Sequence, residues 1–300
     1  MTLGALITNY HAWNLTLATL EAVLNLHPDH SDLSEIIVVD DYSDAPDLWS
    51  GDSRVRIHRN SQNLGYVRSV NVGMALMKTD IVVILDCDAR PLTSFGKVTR
   101  QYFDAEVSLG GLGFTQTDES QSLRPSGEPT PTLREFIIGP AFFSRLPRAL
   151  RHLLLPANRR LCIHSCCMAV RRSAFNEVGG FDEQFDFLDA DMDFSWCLIE
   201  RGWTTVITSK ILCFHPGGGS PQKVGQRVLR HHQNRWRLLA KHGHLQWFRF
   251  AKILLLFRHF VEATILALLS LTPIRFRFRE KFRIRLILLT SVFASYQSKS

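Results

Sequence analysis

Between residues 3 and 85, near-continuous apolar runs alternate with segments whose apolar positions recur at helical spacing. Leu3-Gly-Ala-Leu-Ile-Thr-Asn9, Ile36-Ile-Val-Val-Asp40 and Ile81-Val-Val-Ile-Leu85 read as strands buried on both faces, as in the middle of a parallel sheet. Val55–His58 predicts a shorter one. Trp13–Leu26 predicts a helix, with Pro28 just beyond it. A second helix opens at Asn63-Leu-Gly65 and runs to about Met77. This alternation implies βαβ units, and therefore an α/β protein with a mostly parallel sheet.

Past Pro91 the pattern changes. Ser94–Phe103 predicts a helix and Val107–Phe114 a glycine-rich strand. Thr115–Thr132, polar and dotted with Pro, Ser and Gly, reads as a long loop. Leu133–Leu155 mixes apolar residues with Arg145, Arg148 and Arg151 and predicts an amphipathic helical excursion. Cys162–Arg171 returns as a strand, followed by a turn at Gly179-Gly180-Phe181-Asp182. Asp191–Arg201 predicts a helix ended by Gly202. Thr204–Ile207 and Ile211–Phe214 are two short strands, and Gln222–His242 is a long helix.

The chain has 300 residues and a net charge of +7, enough for one large α/β domain with an appendage. The charge is unevenly spread, because no Lys or Arg precedes Arg54 while both are plentiful after Gln246. Such asymmetry suggests a basic surface that meets an anionic partner. A strand beginning at Leu3, with no basic segment before it, gives no expectation of a secretory signal. Six cysteines, at 87, 162, 166, 167, 197 and 213, include no Cys-x-x-Cys pair, so neither a zinc ribbon nor a thioredoxin-like site is indicated.

The candidate chemistry gathers at strand ends. Asp86-Cys87-Asp88 closes the third buried run, and a period of two would put both carboxylates on one side. Two such neighbours repel unless a cation lies between them, and Mg²⁺ typically uses one or two carboxylates plus phosphate oxygens. The bare tripeptide is more often a solvated turn after a strand, and its place at the end of a buried strand is what favours the metal. Asp40 ends its strand in the same way, either capping a turn or accepting the N3–H of a pyrimidine base. Asn63-x-Gly65 and Asn71-x-Gly73 fit close helix–sheet packing. Arg68 between them suits a diphosphate, or a solvated helix face. Asp189, Asp191 and Asp193 crowd the start of a helix among Phe185, Phe187, Phe194 and Trp196. A helix dipole favours acids there, but apolar walls would also raise a carboxylate's pKa and make it a general base. His215-Pro-Gly-Gly-Gly-Ser220 reads as a histidine on a loop able to close over a phosphate.

In their order these pieces resemble the family 2 glycosyltransferases, the inverting group with the GT-A fold. The resemblance spans about residues 3–243 and rests on Thr8-Asn9-Tyr10, Val39-Asp40-Asp41-Tyr42-Ser43, Asn63-x-Gly65, Asp86-x-Asp88, Gly179-Gly180-Phe181-Asp182, Ala190-Asp191-x-Asp193, Arg201-Gly202-Trp203 and His215. The run Phe187–Trp196 is most similar to bacterial rhamnosyltransferase-type members. The resemblance implies a Rossmann-like, mostly parallel sheet, with residues 1–92 binding nucleotide, 93–243 binding acceptor, and 244–300 as a basic C-terminal region. It implies that Thr8, Tyr10 and Asp40 line the base and ribose pocket, with Asn63, Gly65 and Arg68 near the donor. Asp86 would touch ribose or metal, and Asp88 and His215 would ligate Mg²⁺ or Mn²⁺. Asp191 would be the base, with Asp189 and Asp193 as rivals, and Gly180, Asp193 and Trp196 would meet the acceptor. The donor would be a UDP- or dTDP-sugar, possible dTDP-rhamnose included, and the acceptor a glycan or lipid-linked hydroxyl. Two departures stand out: Ala190 where Glu is frequent, and Tyr42 where Gly is common.

In the tail, Ile253–Phe257, Ala263–Leu271 and Leu286–Phe293 are each shorter than the roughly 18 uncharged residues of a spanning helix. Arg258, Glu262 and the basic series from Arg275 to Arg285 interrupt them. Interfacial helices on an anionic membrane surface are expected, on the cytoplasmic face; packing on the core or on a second subunit is the other reading. Nucleic acid is not expected, since the basic residues sit among aliphatics. A nucleotidyltransferase and a non-catalytic scaffold are the rival functional classes. The absence of an early basic loop argues against the first, and Ala190 makes the second conceivable.

Overall fold

The structure, a computed structural model, describes residues 1–44, 51–124, 126–155, 159–216, 224–245, 248–271 and 276–294. Its strands are β1 (Leu3–Asn9), β2 (Glu35–Asp40), β3 (Val55–Arg59), β4 (Ile81–Leu85), β5 (Arg90–Pro91), β6 (Leu109–Thr117), β7 (Leu123–Arg124), β8 (Gly127–Pro129), β9 (Leu161–Ile163), β10 (Cys167–Arg171) and β11 (Thr204–Phe214). Its helices are α1 (Trp13–Leu26), α2 (Tyr66–Leu76), α3 (Gly96–Ala105), α4 (Leu133–Ile138), α5 (Pro140–Phe143), α6 (Arg148–Leu154), α7 (Arg172–Val178), α8 (Ala190–Glu200), α9 (Val224–Lys241), α10 (Phe248–Leu269) and α11 (Phe276–Ala294).

The main sheet runs β3-β2-β1-β4-β10-β6-β11-β5, with β7 added on β6. β1 pairs in parallel with both β2 and β4, so the carboxyl ends of all three reach one edge of the sheet. Every residue of β1 and β4 is buried, which is why those segments are apolar without alternation. β10 is antiparallel to β4 and β6, and β5 is antiparallel to β11, so the sheet is mixed. That mixture could not be read from strand–helix alternation alone.

Several boundaries differ from the sequence expectation. The run Cys162–Arg171 is two strands, because His164-Ser165-Cys166 turns between them; β9 pairs with β8 in a separate two-stranded sheet. The stretch Thr115–Thr132 is not one loop, since β6 continues to Thr117 and β7 and β8 follow. The two short strands near residues 204 and 214 are one strand, with a register irregularity between Thr208 and Leu212. The excursion after 132 breaks into α4, α5 and α6. Its first helix is fixed by a capping box in which the Thr132 hydroxyl accepts from the Glu135 amide while the Glu135 carboxylate accepts from the Thr132 amide.

Two compact units result, residues 1–130 with 160–219, and residues 131–159 with 220–300. The boundary expected at 243 falls within the second. In the first unit a continuous apolar core includes Leu3, Ile7, Val83, Leu85, Phe95, Phe114 and Ile211. In the second, Phe136, Trp236, Leu239, Ala251 and Leu255 pack together.

Helix α2 lies close on β1 and β2 because residue 73 is glycine. A Cβ there would fall 2.3 Å from Leu6 Cδ1 and 3.0 Å from Val39 Cγ2, both fully buried. Gly73→Val should therefore lower unfolding stability by about 1–3 kcal/mol through overpacking, despite any gain in helix propensity. Urea denaturation checks this, and a midpoint equal to or above that of the parent would refute the packing constraint.

Candidate active site

Strand β4 ends at Leu85, and the next amide, from Asp86, donates to the Cys166 carbonyl at 3.0 Å. The chain then turns, with the Ala89 amide donating back to the Asp86 carbonyl at 3.0 Å. A turn, not strand alternation, brings Asp86 and Asp88 together. On the far side of the sheet edge, β5 and β11 pair Arg90 with Phe214 and Pro91 with Cys213. That pairing delivers His215, whose amide donates to the Thr117 carbonyl at 2.9 Å. Its Nε2 lies 3.6 Å from Asp88 Oδ1. One ligand atom each from Asp86, Asp88 and His215 lie within 4.8 Å of one another.

The electrostatics of this trio favour a cation. Burial, reinforced by the Asp88 charge and opposed by a hydrogen bond from Tyr66, pushes the Asp86 carboxyl up to about 7. Asp86 Oδ1 is buried with no hydrogen-bond partner. A bare buried oxygen of this kind is costly unless something positive meets it. The Cys166 thiol, hydrogen-bonded to the ring, raises the His215 pKa; burial opposes this and the Asp88 carboxylate adds to the rise. Cys166 itself accepts from Gln116 Nε2 at 3.0 Å. Two carboxylates and an imidazole suit Mg²⁺ or Mn²⁺, and the residues present fit such an ion.

Asp191 stands in the first turn of α8. It follows Asp189, which is held at φ 62° in the left-handed region. Successive helical residues are about 100° apart, so Asp191 and Asp193 point to opposite sides. Asp193 is 1% exposed and Asp189 7%, whereas Asp191 keeps partial exposure. Asp191 Oδ2 accepts from the Ser165 amide at 3.2 Å and Oδ1 from the Met192 amide at 2.9 Å. Burial raises its pKa, with nearby His164 working the other way. Ser165 is thus tied to Asp191 by its amide, and its hydroxyl accepts from Tyr66 at 2.9 Å. Burial first, then the Asp86 charge, pushes the Tyr66 phenol well above its ordinary value, so it remains a proton donor.

Asp40 is completely buried. Its Oδ1 accepts from Asn9 Nδ2 at 2.7 Å and from the Ser43 hydroxyl. Its Oδ2 accepts from the Ser43 amide at 3.3 Å and from Arg59 Nε at 3.1 Å. A carboxylate has about four acceptor sites, and all are taken. These four bonds make Asp40 a brace for the loop after β2, the turn-forming one of the two readings open to it. Asp41, also buried, accepts from Asn60 Nδ2 at 3.0 Å, the Leu64 amide at 2.7 Å and the Gly65 amide at 2.8 Å. It therefore fixes the Asn63-x-Gly65 turn, in which Asn63 Oδ1 also accepts from Gly65. Thr8 is 8% exposed at the end of β1, while Tyr10 just beyond is 51% exposed. Tyr42, the departure from glycine, sits at φ 63°. Arg68 is exposed and pairs with Glu183 at 3.0 Å.

Gly180, at φ 77°, is packed so closely that a Cβ would lie 2.8 Å from Asn71 Oδ1 and 2.9 Å from the Phe175 ring. Asn71 holds that turn at both ends, accepting from the Phe181 amide at 3.0 Å and donating to its carbonyl at 2.9 Å. Trp196, 7% exposed, and Asp193 turn inward. Asp191 and Asp193, two residues apart on one helix, present only the first outward. Tyr66, Ser165, Cys166 and Gln116 escaped the sequence reading, since none belongs to a spaced motif of titratable groups. The glycines at 217–219 of the loop after His215 lie outside the described residues. All six cysteines are free thiols.

Solved structures similar to this one define its class. A mannosyltransferase from Pyrobaculum calidifontis, in complex with GDP-Man and Mn²⁺, superposes with a TM-score of 0.55 over 99% of this chain and 88% of its own, at 14% identity. GalNAc-T7 with UDP, GalNAc and Mn²⁺ gives 0.59 over 95% of this chain and 54% of its own, also at 14% identity. The fold is GT-A-like, an α/β architecture with a mixed, mostly parallel sheet flanked by helices. Residues 5–179 match the model of glycosyl transferase family 2, more than half of the chain, and the protein belongs to that family. An N-acetylglucosaminyl-diphospho-decaprenol L-rhamnosyltransferase of Mycobacterium tuberculosis is 31% identical over 149 residues, 47% of this chain and 48% of that one. A pre-mycofactocin glycosyltransferase of the same organism is 28% identical over 173 residues, 56% of this chain and 34% of that one. The chain spans about half the length of the first relative and about a third of the second.

Asp41 should prove as structural as its hydrogen bonds imply. Asp41→Ala strands the Leu64 amide, at about 1–3 kcal/mol for a polar group left unpaired, and leaves Gly65 with Asn63 Oδ1 alone. Hydrogen exchange should show the Leu64 amide losing protection. Protection equal to the parent's would remove Asp41 from this role.

Proposed function

We propose that this protein is an inverting glycosyltransferase that moves a sugar from a UDP- or dTDP-sugar to a hydroxyl of a glycan or lipid-linked acceptor. One observation supports this most: a single turn, His164-Ser165-Cys166, anchors both the Asp86–Asp88–His215 trio and Asp191. An ion site and a raised carboxylate tied to one turn suit a reaction with a departing diphosphate on one side and an incoming hydroxyl on the other.

In this reading Asp86, Asp88 and His215 hold Mg²⁺ or Mn²⁺ against the diphosphate. The cation's contribution would be to neutralise charge growing on the leaving group. Thr8 and Tyr10 at the end of β1 flank the nucleotide, with the Asn63–Gly65 turn and Arg68 nearby. Asp40 supports that pocket through the loop it braces. Asp191 takes the acceptor proton as the hydroxyl attacks the anomeric carbon, which inverts the centre in one displacement. Its partial exposure favours it over Asp189 and Asp193, both buried. A rhamnosyl donor and a lipid-linked acceptor are suggested by the relative that is 31% identical. The basic C-terminal region would keep the enzyme peripheral on the cytoplasmic face of a membrane.

Asp191→Asn should lower transfer by about 10²- to 10⁴-fold while nucleotide affinity, measured by calorimetry, stays at the parent value. A panel of UDP- and dTDP-sugars serves for the assay, and undiminished turnover would exclude Asp191 as the base. In the parent, the rate should climb with pH through a value above the usual carboxylate range, because protonated Asp191 cannot accept the hydroxyl proton.

Mn²⁺ binding should be proton-linked. Asp86, raised to about 7, must lose its proton to bind a cation, so the affinity weakens as pH falls below that value. The thermal midpoint should rise with Mn²⁺ more above pH 7 than below it. An increment independent of pH, or absent throughout, would count against the site.

A further inference from the structure

Helix α10 is built inside out. A surface helix of a globular protein turns its apolar stripe to the core and its charges to water. In α10 the charged and ionisable residues of the middle turns face inward. Arg258 Nη1 donates to the Phe136 and Ile137 carbonyls at 2.5 and 3.2 Å, and its Nε donates to Glu262 at 2.9 Å. Glu262 also pairs with Arg285 of α11. His259 is 1% exposed. This network closes the end of α4 and clasps α11, leaving none of those charges for the outer surface.

The outer surface carries Phe250, Ile253, Phe257, Phe260 and Leu268, all exposed, with Phe257 at 66% and Phe260 at 61%. At about 100° per residue the five fall within an arc of about 80°, opposite Ala251, Leu255 and His259. Thr264 lies in the same arc, and its hydroxyl donates to the Phe260 carbonyl at 3.0 Å. Even the polar residue on this face is satisfied within the helix.

Charge indicates what covers the stripe. Residues 248–294 contain nine lysines and arginines against two glutamates, a net +7 that equals the charge of the whole chain. Arg249 of α10 and Arg279, Lys281 and Arg283 of α11 are exposed. Among the described residues no helix is long and apolar enough to cross a membrane, and the inward charges of α10 forbid it the role.

We propose that the outward stripe of α10 is a membrane-docking face that lies flat in the interface of an anionic bilayer. Its phenylalanines and aliphatic residues enter the acyl boundary, and the exposed arginines and lysine of α10 and α11 hold phosphate headgroups. Docking sharpens the peripheral association suggested above by assigning it to one helix face, and it takes Arg258 out of the headgroup contacts. It does not depend on the sugar-transfer chemistry.

Co-sedimentation of the full chain with phosphatidylcholine vesicles, with and without phosphatidylglycerol, tests it. The parent should partition onto the anionic vesicles and lose binding as salt rises. The triple variant Phe257→Ser, Phe260→Ser, Leu268→Ser should bind at least about a hundredfold more weakly, with its thermal transition kept. Arg279→Gln with Lys281→Gln and Arg283→Gln should weaken binding to anionic vesicles and flatten the salt dependence. Light scattering without lipid provides the other arm. A stable dimer abolished by the serine variant would assign the stripe to a second copy and overturn the proposal, as would a parent that stays in the supernatant with anionic vesicles at low salt. Mn²⁺-dependent donor hydrolysis in the serine variant should match the parent, so a failure of docking and a failure of the enzymatic reading are told apart.

Discussion

The break in the chain between β9 and β10 holds the site together. A continuous strand there would spend its amides and carbonyls on ladder neighbours. Because His164-Ser165-Cys166 turns instead, the Cys166 carbonyl is free to receive Asp86 and the Ser165 amide to receive Asp191. The Ser165 hydroxyl then takes Tyr66, and the Cys166 thiol takes Gln116 and His215. Two carboxylates with raised pKa values, from elements far apart in sequence, are thereby fixed by neighbouring atoms of one turn. Each costs free energy in the ionised form, which is the condition under which a cation or a proton from a substrate is most welcome.

Much of this could be read from the sequence, and the limits are physical. β1, α1, β2, β3, α2 and β4 were evident because each is local: its signal is a run or a periodicity within the element. The antiparallel place of β10 and the clasp of β5 on β11 depend on pairing partners far away, which periodicity does not encode. Asp86, Asp88 and His215 were identifiable since ligand chemistry limits the residue types. Asp40 was left open between a turn former and a base contact, because an aspartate ending a strand looks the same whether its oxygens face a ligand or the four protein donors found here. Asp41, one residue on, looked subordinate and instead organises the turn at Leu64 and Gly65. Asp193 and Trp196 were expected to meet the acceptor beside Asp191; the structure shows both buried, which no local spacing conveys. Ala190, the departure from glutamate, is 1% exposed, a position where a carboxylate would need a partner of its own.

The second unit reverses the usual sorting of side chains. Composition alone marked the tail as basic and apolar, and assigned its arginines uniformly to headgroups. The packing separates them into two populations. Arg258 and Arg285 are structural ions around Glu262, held where a lone charge would be costly, whereas Arg249, Arg279 and Arg283 are exposed. A pattern of charge along a sequence does not distinguish these, since both populations alternate with the same aliphatic residues.

The two-residue clasp of Arg90-Pro91 with Cys213-Phe214 has an evolutionary consequence. Side chains on a strand alternate, so a slip of one residue in that pairing would turn His215 away from Asp88. Insertions and deletions within the long intervening segment leave this register untouched, provided that the clasp and the ladder of β10 survive. Such a design lets the intervening segment drift in length while Asp86, Asp88 and His215 stay in alignment. Length variation immediately beside residues 88–91 or 213–215 should be the kind that lineages do not keep.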